Sequence, residues 1–217
     1  MVKHIHRLWE ILLLGSSSVV ELRAFHYQDK NKVRRRVFRA SEYESVDEMR
    51  FAFESIASEL NNQGYNIYIV MNPINPGFDG KSAKDKDIRC RDLLLIDIDR
   101  AGDTKVPATK QEVKAAKKLA TEIISYLSSL GWPEPLQVMS GNGWHLYYPL
   151  DSIANDKETT ELVKKTLKNL AKQFNTTEVA IDTTVHNASR ITKVPGTIMR
   201  KGEESKERPY RMARVYD

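Results

Sequence analysis

Strand-type and helix-type segments alternate along this 217-residue chain, and the alternation predicts a mixed α/β (α+β) fold. Two further observations sharpen that expectation. Residues 93–99 form a run of continuous apolarity ending in carboxylates, the pattern of a strand buried on both faces near the centre of a sheet. Residues 136–139 and 144–148 both read as strands and are separated only by Ser140-Gly141-Asn142-Gly143, a hairpin-like connection that makes the sheet mixed or antiparallel.

The elements follow in order. Residues 19–27 read as a strand, and the basic stretch up to Arg39 continues as a hairpin or loop. Ser45 with Glu48 makes a capping box that opens a helix striped with Met49, Phe53, Ile56 and Leu60, and Gly64 stops it. Residues 65–71 are β-branched and aromatic, hence a strand. A loop rich in Pro, Gly, Lys and Asp, 72–87, leads into the central strand. Thr109 with Glu112 caps the next helix, whose stripe is Val113, Ala116, Ala120, Ile123, Leu127 and Leu130 before Gly131 and Pro133 end it. Asn155 and Glu158 open a third helix through Leu162, Leu167, Leu170 and Phe174. Residues 178–182 are a short strand closing on an aspartate, and a strand-like segment, 191–194, precedes Pro195-Gly196.

Length suggests one large domain, 1–217, or a domain with a small satellite; the motifs taken up below fall in 67–214, and an N-terminal part, 1–66, is of open role. Hydrophobic content of 41% and charged content of 29% are ordinary for a globular protein. No apolar run approaches the roughly 20 residues of a membrane span, and 9–14 lacks a secretory cleavage site, so no membrane partner is expected. Cys90 is the single cysteine, which excludes internal disulfides and Cys-rich zinc sites and points to a reducing, cytoplasmic setting. A net charge of +5 and a pI near 9.1 permit an anionic partner. Eight basic residues against three acidic ones fall between 190 and 214, and a second cluster comprises Lys30, Lys32, Arg34, Arg35, Arg36 and Arg39. Each cluster is either a solvated face or a phosphate contact.

Four motifs carry chemistry. In Ile96-Asp97-Ile98-Asp99 the aspartates share one strand face, where they repel unless a cation sits between them. Oxygen ligands suit Mg²⁺ or Mn²⁺. The plain alternative is a strand ending in solvated aspartates. Ser140-Gly141-Asn142-Gly143-Trp144-His145 combines a tight turn, whose N–H groups can cradle an anion, with a histidine on the face opposite Trp144, Leu146 and Tyr148. A satisfied structural histidine is the alternative. Asp182, after Ala180-Ile181, either completes a metal site or caps the turn at Thr183-Thr184. Residues 187–197, followed by Arg200-Lys201-Gly202, place Arg190 and Lys193 near Asp182, where they could hold triphosphate or template.

The ordered set of Asp-Ile-Asp, Ser-Gly-Asn-Gly-Trp-His, Ile-Asp, Asn-Ala-Ser-Arg, Pro-Gly-Thr and Arg-Lys-Gly resembles the archaeo-eukaryotic primase (AEP) superfamily. Within it, the set is similar to the primase–polymerase domains of plasmid, phage and mobile-element replication proteins. The resemblance implies a catalytic core with an RRM-like sheet packed against a second small α/β unit. It implies two divalent ions, Mg²⁺ or Mn²⁺, on Asp97, Asp99 and Asp182, with His145 at the nucleotide phosphates. Ser140, Gly141, Asn142, Gly143, Arg190 and Lys193 would bind the NTP or dNTP substrate, and Arg200 and Lys201, with Arg34, Arg35 and Arg36 of the second basic cluster, the single-stranded DNA template. Many relatives carry zinc ligands or a helicase module, and this chain has neither; termination at Asp217, immediately after a basic segment, suggests a fragment of a longer replication protein, with a helicase module or partner as an open expectation. Two rivals follow from the residues: a rolling-circle nicking endonuclease using His4 and His6 with Tyr27 or Tyr43 as nucleophile, and a non-catalytic single-strand- or origin-binding module.

Overall fold

Two antiparallel sheets share one core in the computed structural model, which describes residues 2–12, 14–29, 31–102 and 104–216. Lys30 of the second basic cluster lies outside the described residues. In chain order the elements are α1 (Val2–Ile11), β1 (Val19–His26), β2 (Val33–Arg39), α2 (Val46–Asn62), β3 (Tyr65–Val70) and β4 (Cys90–Arg100). Then come α3 (Lys110–Ser129), β5 (Leu136–Met139), β6 (Trp144–Ala154), α4 (Lys157–Phe174), β7 (Val179–Ile181) and β8 (Ile191–Lys193). Three short strands, β9 (Ile198–Met199), β10 (Arg211–Met212) and β11 (Arg214–Tyr216), close the chain.

One sheet runs β2-β1-β3-β8 and the other β11-β5-β6-β4-β7, with β9 and β10 paired on their own. Every ladder between these strands is antiparallel, so the mixed alternative gives way to the antiparallel one. Apolarity along β4 has the expected cause: β6 and β7 flank it, and Leu93, Leu94, Leu95, Ile96 and Ile98 are all buried. The helix α3 packs on β4, β6 and β7 through Ala116, Leu119, Ala120, Ile123 and Leu127. On the other sheet α2 packs against β1, β2 and β3 with Met49, Phe53 and Ala57 fully buried. Each such Leu, Ile or Phe removed from water contributes about 1.5–3 kcal/mol. Residues 1–66 thus supply α1, β1, β2 and α2, most of one sheet and its cover.

Several local expectations shift. Asp156, rather than Asn155, caps α4 by accepting from the Thr159 N–H, while Asn155 donates to the Asp85 and Ile88 carbonyls. Leu162 is 60% exposed and its neighbour Val163 takes the buried place, because one residue turns a helix by about 100°. Leu130 is also exposed, sitting past the end of α3. Ser45 does accept from the Glu48 N–H, but the Glu48 carboxylate takes the Glu44 N–H instead of closing the box. No helix among the described residues is long and apolar enough to cross a membrane.

Glu112 joins the two ends of the second half. It completes the Thr109 capping box and accepts from Arg100 at 2.9 Å and from Arg208 at 2.9 and 3.0 Å. Burial pushes its carboxyl up, but hydrogen bonds from Arg208, Thr109 and Arg100 outweigh that and hold it at about 2. A carboxyl lowered in the folded state stabilises above its unfolded value, near 4.3, and that stabilisation fades as pH falls toward the folded value. Glu112→Gln is expected to cost about 1.5–3 kcal/mol at pH 7 by urea titration, with the gap to wild type narrowing below about pH 4.5.

Candidate active site

The site forms where the two sheets meet. Asp97 and Asp99 lie on one face of β4, and β6 sets His145 directly opposite Asp97 in the ladder. The Asp182 N–H donates to the Asp97 carbonyl at 2.8 Å, extending the β4–β7 pairing by one step and bringing Asp182 alongside. From the other sheet come Tyr68 on β3 and Ile191, Thr192 and Lys193 on β8. Together these enclose a cleft of about 230 Å³, with Ser140, Asn142, Arg190, Met199 and Lys201 in its walls. Nine expected site residues therefore line one cavity: Asp97, Asp99, Ser140, Asn142, His145, Asp182, Arg190, Lys193 and Lys201.

Charge in the cleft is unevenly settled. His145 Nε2 stands 3.2 Å from the buried Asp97 Oδ1 and pairs with it when the ring is protonated. Burial pushes Asp97 up, but the His145 imidazole, then Arg190 and Lys201, bring it below the ordinary carboxylate value. Asp99 is raised to about 6 by burial and by the negative charge of Asp97. For His145, burial favours the neutral ring, while Asp97 and Asp99 outweigh it and raise the pKa. Burial and the nearby Arg200 lower Lys193 well below the ordinary lysine value; its Nζ donates to the Ile198 carbonyl at 3.2 Å. Arg190 Nη2 lies 3.6 Å from Asp182 Oδ2, while its buried Nε–H has no hydrogen-bond partner among the described residues.

His145 is held from behind. Its Nδ1 is 3.1 Å from the Tyr147 hydroxyl and 3.4 Å from Thr192 Oγ1, and those two hydroxyls bond each other across the seam between the sheets. The imidazole thus presents Nε2 to Asp97. Tyr68, Tyr147, Thr192 and Met199 went unassigned in the sequence reading. Period-two alternation does place Tyr68 opposite Ile67 and Ile69, but only the meeting of two sheets gives that face a purpose.

The turn 140–143 departs from expectation. The Gly141 N–H is used by Met139 Sδ at 3.0 Å and the Gly143 N–H by Ser140 Oγ at 3.1 Å, so neither glycine N–H is free to cradle an anion. The glycines serve close approach instead. Gly141 has φ +106° and a Cβ there would meet Met199 Cβ at 2.5 Å, while a Cβ on Gly143 would overlap Asp99 Oδ1 and the Ile98 carbonyl. Ser140 Oγ, accepting from Gly143, keeps its own proton to donate into the cleft.

Other expected residues lie apart. Arg200 donates to the Asn61 carbonyl, and its backbone is gripped by the Asn66 side chain, which accepts from Arg200 N–H and donates to its carbonyl. Asn61 grips Ile198 in the same way. Arg34, Arg35 and Arg36 are exposed on β2, the edge strand. His4 and His6 sit two apart on a helix rather than a strand; His6 pairs with Glu10 at 3.3 Å, and His4 Nδ1 accepts from the Val215 N–H. Tyr27 packs edge-on against Tyr210, and Tyr43 packs against the core.

Among the described residues no three His, Cys, Asp or Glu side chains are gathered closely enough to hold a metal as they stand. Asp182 is engaged elsewhere: its Oδ1 accepts from Thr184 N–H and Oγ1 at 2.8 and 2.7 Å, the turn-capping arrangement. The Asp97–Asp99 pair nevertheless suits a hard divalent cation, since it offers oxygen donors on two buried carboxylates that repel each other.

No family model matches the chain, and no curated protein matches it significantly. Solved structures do. The chain is similar over its whole length to the AEP domain of the cyanophage S-2L primase-polymerase, with a TM-score of 0.59 and 19% identity across 90% of that chain. It is similar to primase RepB' at 0.56 and 13% identity, spanning 56% of that longer chain. To the polymerase domain of Mycobacterium tuberculosis ligase D, solved in complex with DNA, 95% of this chain aligns with 80% of that one at a TM-score of 0.52 and 14% identity. The fold is therefore that of the AEP primase–polymerase domains.

A carboxyl raised to about 6 binds more protons folded than unfolded between roughly pH 3.9 and 6, so stability falls as pH rises through that window and stays reduced above it. In metal-free protein, Asp99→Asn is expected to melt above wild type at pH 7.5 and to converge with it near pH 4. Identical melting at pH 7.5 would contradict burial and Asp97 as the cause.

Proposed function

We propose that the chain is a nucleotidyltransferase of the primase–polymerase kind, building strands from NTPs or dNTPs on a single-stranded DNA template. One observation carries the reading. The paired carboxylates Asp97 and Asp99, and Arg190, whose buried Nε–H has no hydrogen-bond partner among the described residues, line the same cleft. The pair asks for a cation and Arg190 for an anion, and a nucleotide triphosphate with its divalent metal supplies both. The likeness to primase and polymerase domains points the same way.

Asp97 and Asp99, with Asp182 beside them, would hold divalent Mg²⁺ or Mn²⁺, which would supply activation of a 3′-hydroxyl and neutralisation of pyrophosphate charge. The rest falls to the chain's own groups. Arg190 offers its free Nε–H to a phosphate oxygen, and Lys201 adds positive charge along the same wall. His145, its pKa raised by Asp97 and Asp99, adds positive charge beside the phosphates, and its hydroxyl backing keeps Nε2 on Asp97. Ser140 donates its hydroxyl from the turn. The exposed arginines of β2 hold the template backbone, which makes binding salt-dependent.

A second reading, a non-catalytic single-strand-binding module, is favoured by Asp182 being occupied with Thr184 and Arg190. One experiment separates them: single-stranded DNA, Mg²⁺ or Mn²⁺ and all eight labelled nucleotides, with and without primer. Wild type is expected to synthesise polymer, and Asp97→Ala or Asp99→Ala to lose at least about a hundredfold in rate. Millimolar Mn²⁺ is expected to raise the melting temperature of wild type but not of the Asp97→Ala variant. Synthesis that survives both substitutions, or none from wild type with DNA affinity indifferent to metal, would sink the enzymatic reading.

A further inference from the structure

The two faces of the β2-β1-β3-β8 sheet have different fates. One buries Leu22, Ala24, Phe38, Ile67 and Ile69 beneath α2. The other is covered at one end, where residues between 74 and 88 pack over Val19 and Val70 and the Ala83 backbone grips Glu21 and Arg23, and at the other by the backbone of Arg200, which Asn66 holds. Beyond Arg23 this second face is open enough to leave Phe25 and Tyr68 half-buried and Arg35 exposed.

Register turns those residues into a line. Arg35 is opposite Arg23, Arg23 opposite Tyr68, and Tyr68 opposite Lys193, so one row crosses all four strands. Cross-strand partners share a face and neighbouring strands lie about 4.8 Å apart, so the row is about 14 Å long. Its outer end is the exposed edge of the sheet. Its inner end is the candidate active site, which Tyr68 and Lys193 line. Phe25 stands diagonally beside Tyr68, ring centroids 5.7 Å apart at 71°, and Lys193 Nζ lies 5.7 Å from the Tyr68 ring on its other side.

The charges along the row are differently committed. Arg23 is neutralised by Glu21 and tied to the Ala83 carbonyl. Lys193 is buried and donates to Ile198. Arg35 has no ion pair or hydrogen bond among the described residues. The nearby acidic groups are spent, Glu21 on Arg23 and Asp29 on Lys32. An uncommitted cation at the rim, a half-exposed aromatic step and a catalytic cleft beyond it make a surface of alternating anion and π recognition. An unpaired nucleic-acid strand alternates in the same way, phosphate and flat base, whereas a duplex keeps its base faces stacked inside.

We infer that this row is the approach track of the single-stranded template, with one base stacked on Phe25 and a flanking phosphate on Arg35. The word template rests on the function proposed above; binding and stacking do not. The test accordingly uses the full chain in EDTA without nucleotides, with a fluorescein-labelled mixed-sequence 20-nucleotide DNA read by anisotropy over a salt series. Phe25→Ala is expected to weaken binding about tenfold, Phe25→Leu to weaken it equally, and Phe25→Trp to retain it, since a base needs a flat partner while a merely structural position would accept leucine. Arg35→Ala is expected to reduce the slope of log K against log salt by about 0.7. A 2-aminopurine oligonucleotide is expected to be quenched by wild type and Phe25→Trp but not by Phe25→Leu. Full binding by a folded Phe25→Leu protein, an unchanged slope in Arg35→Ala, or equal affinity for blunt duplex would overturn the track. The Asp97→Ala variant is expected to bind this DNA normally, so an inactive enzyme with an intact track would fail only the catalytic reading.

Discussion

Everything in this molecule is arranged around a cost: two carboxylates, Asp97 and Asp99, held on one face of a buried strand. Repulsion and burial raise Asp99 to about 6, and only the positive groups gathered around Asp97 bring that partner down. A fold built for stability alone would put apolar residues there. The strand tolerates the pair because β6 delivers His145 opposite Asp97, and because the continuation of β7 brings Asp182 and then Arg190 to the same place. Antiparallel pairing on both sides of β4 is what lets segments distant in sequence meet at one rung.

The two sheets are not independent platforms. Thr192 belongs to one and Tyr147 to the other, yet their hydroxyls meet behind His145. Asn72, just past β3, accepts from the backbone of Asp92 and Leu93 at the start of β4, a second tie across the seam. Glu112 anchors the segment carrying Arg208, and with it the chain that returns past the cleft. Cleft geometry therefore depends on buried polar groups whose partners are supplied from the opposite unit, where an unmet group is expensive.

Legibility in the sequence followed periodicity. Alternation in 96–99 and 144–148 was enough to set Asp97, Asp99 and His145 on cleft faces, and the apolar stripes located α2 and α3. Where two adjacent residues can do one job, local pattern cannot choose: Asn155 and Asp156 are both capping residues, and Leu162 and Val163 both suit a core. The strands β9, β10 and β11 are two or three residues long, too short to show any period. Tyr68 and Thr192 were hidden for another reason, since their partners lie on the other sheet and register between distant strands leaves no local mark. The turn 140–143 misled because glycine was read as a donor of free N–H groups, whereas both of its glycines are spaces into which Asp99 and Met199 fit.

Along one wall of the cleft, residues 198–200 are hung from two amide side chains. Asn61 and Asn66 each give a donor and an acceptor to that passing backbone, at 2.9 and 2.8 Å for Ile198 and at 2.7 and 2.8 Å for Arg200. Each asparagine impersonates a strand edge: a carboxylate only accepts, a hydrocarbon does neither, and a hydroxyl carries both roles on a single atom. These two positions, neither of which lines the cleft, are therefore as chemically constrained as the carboxylates, and evolutionary drift there would loosen the wall that sets Met199 and Lys201 in place.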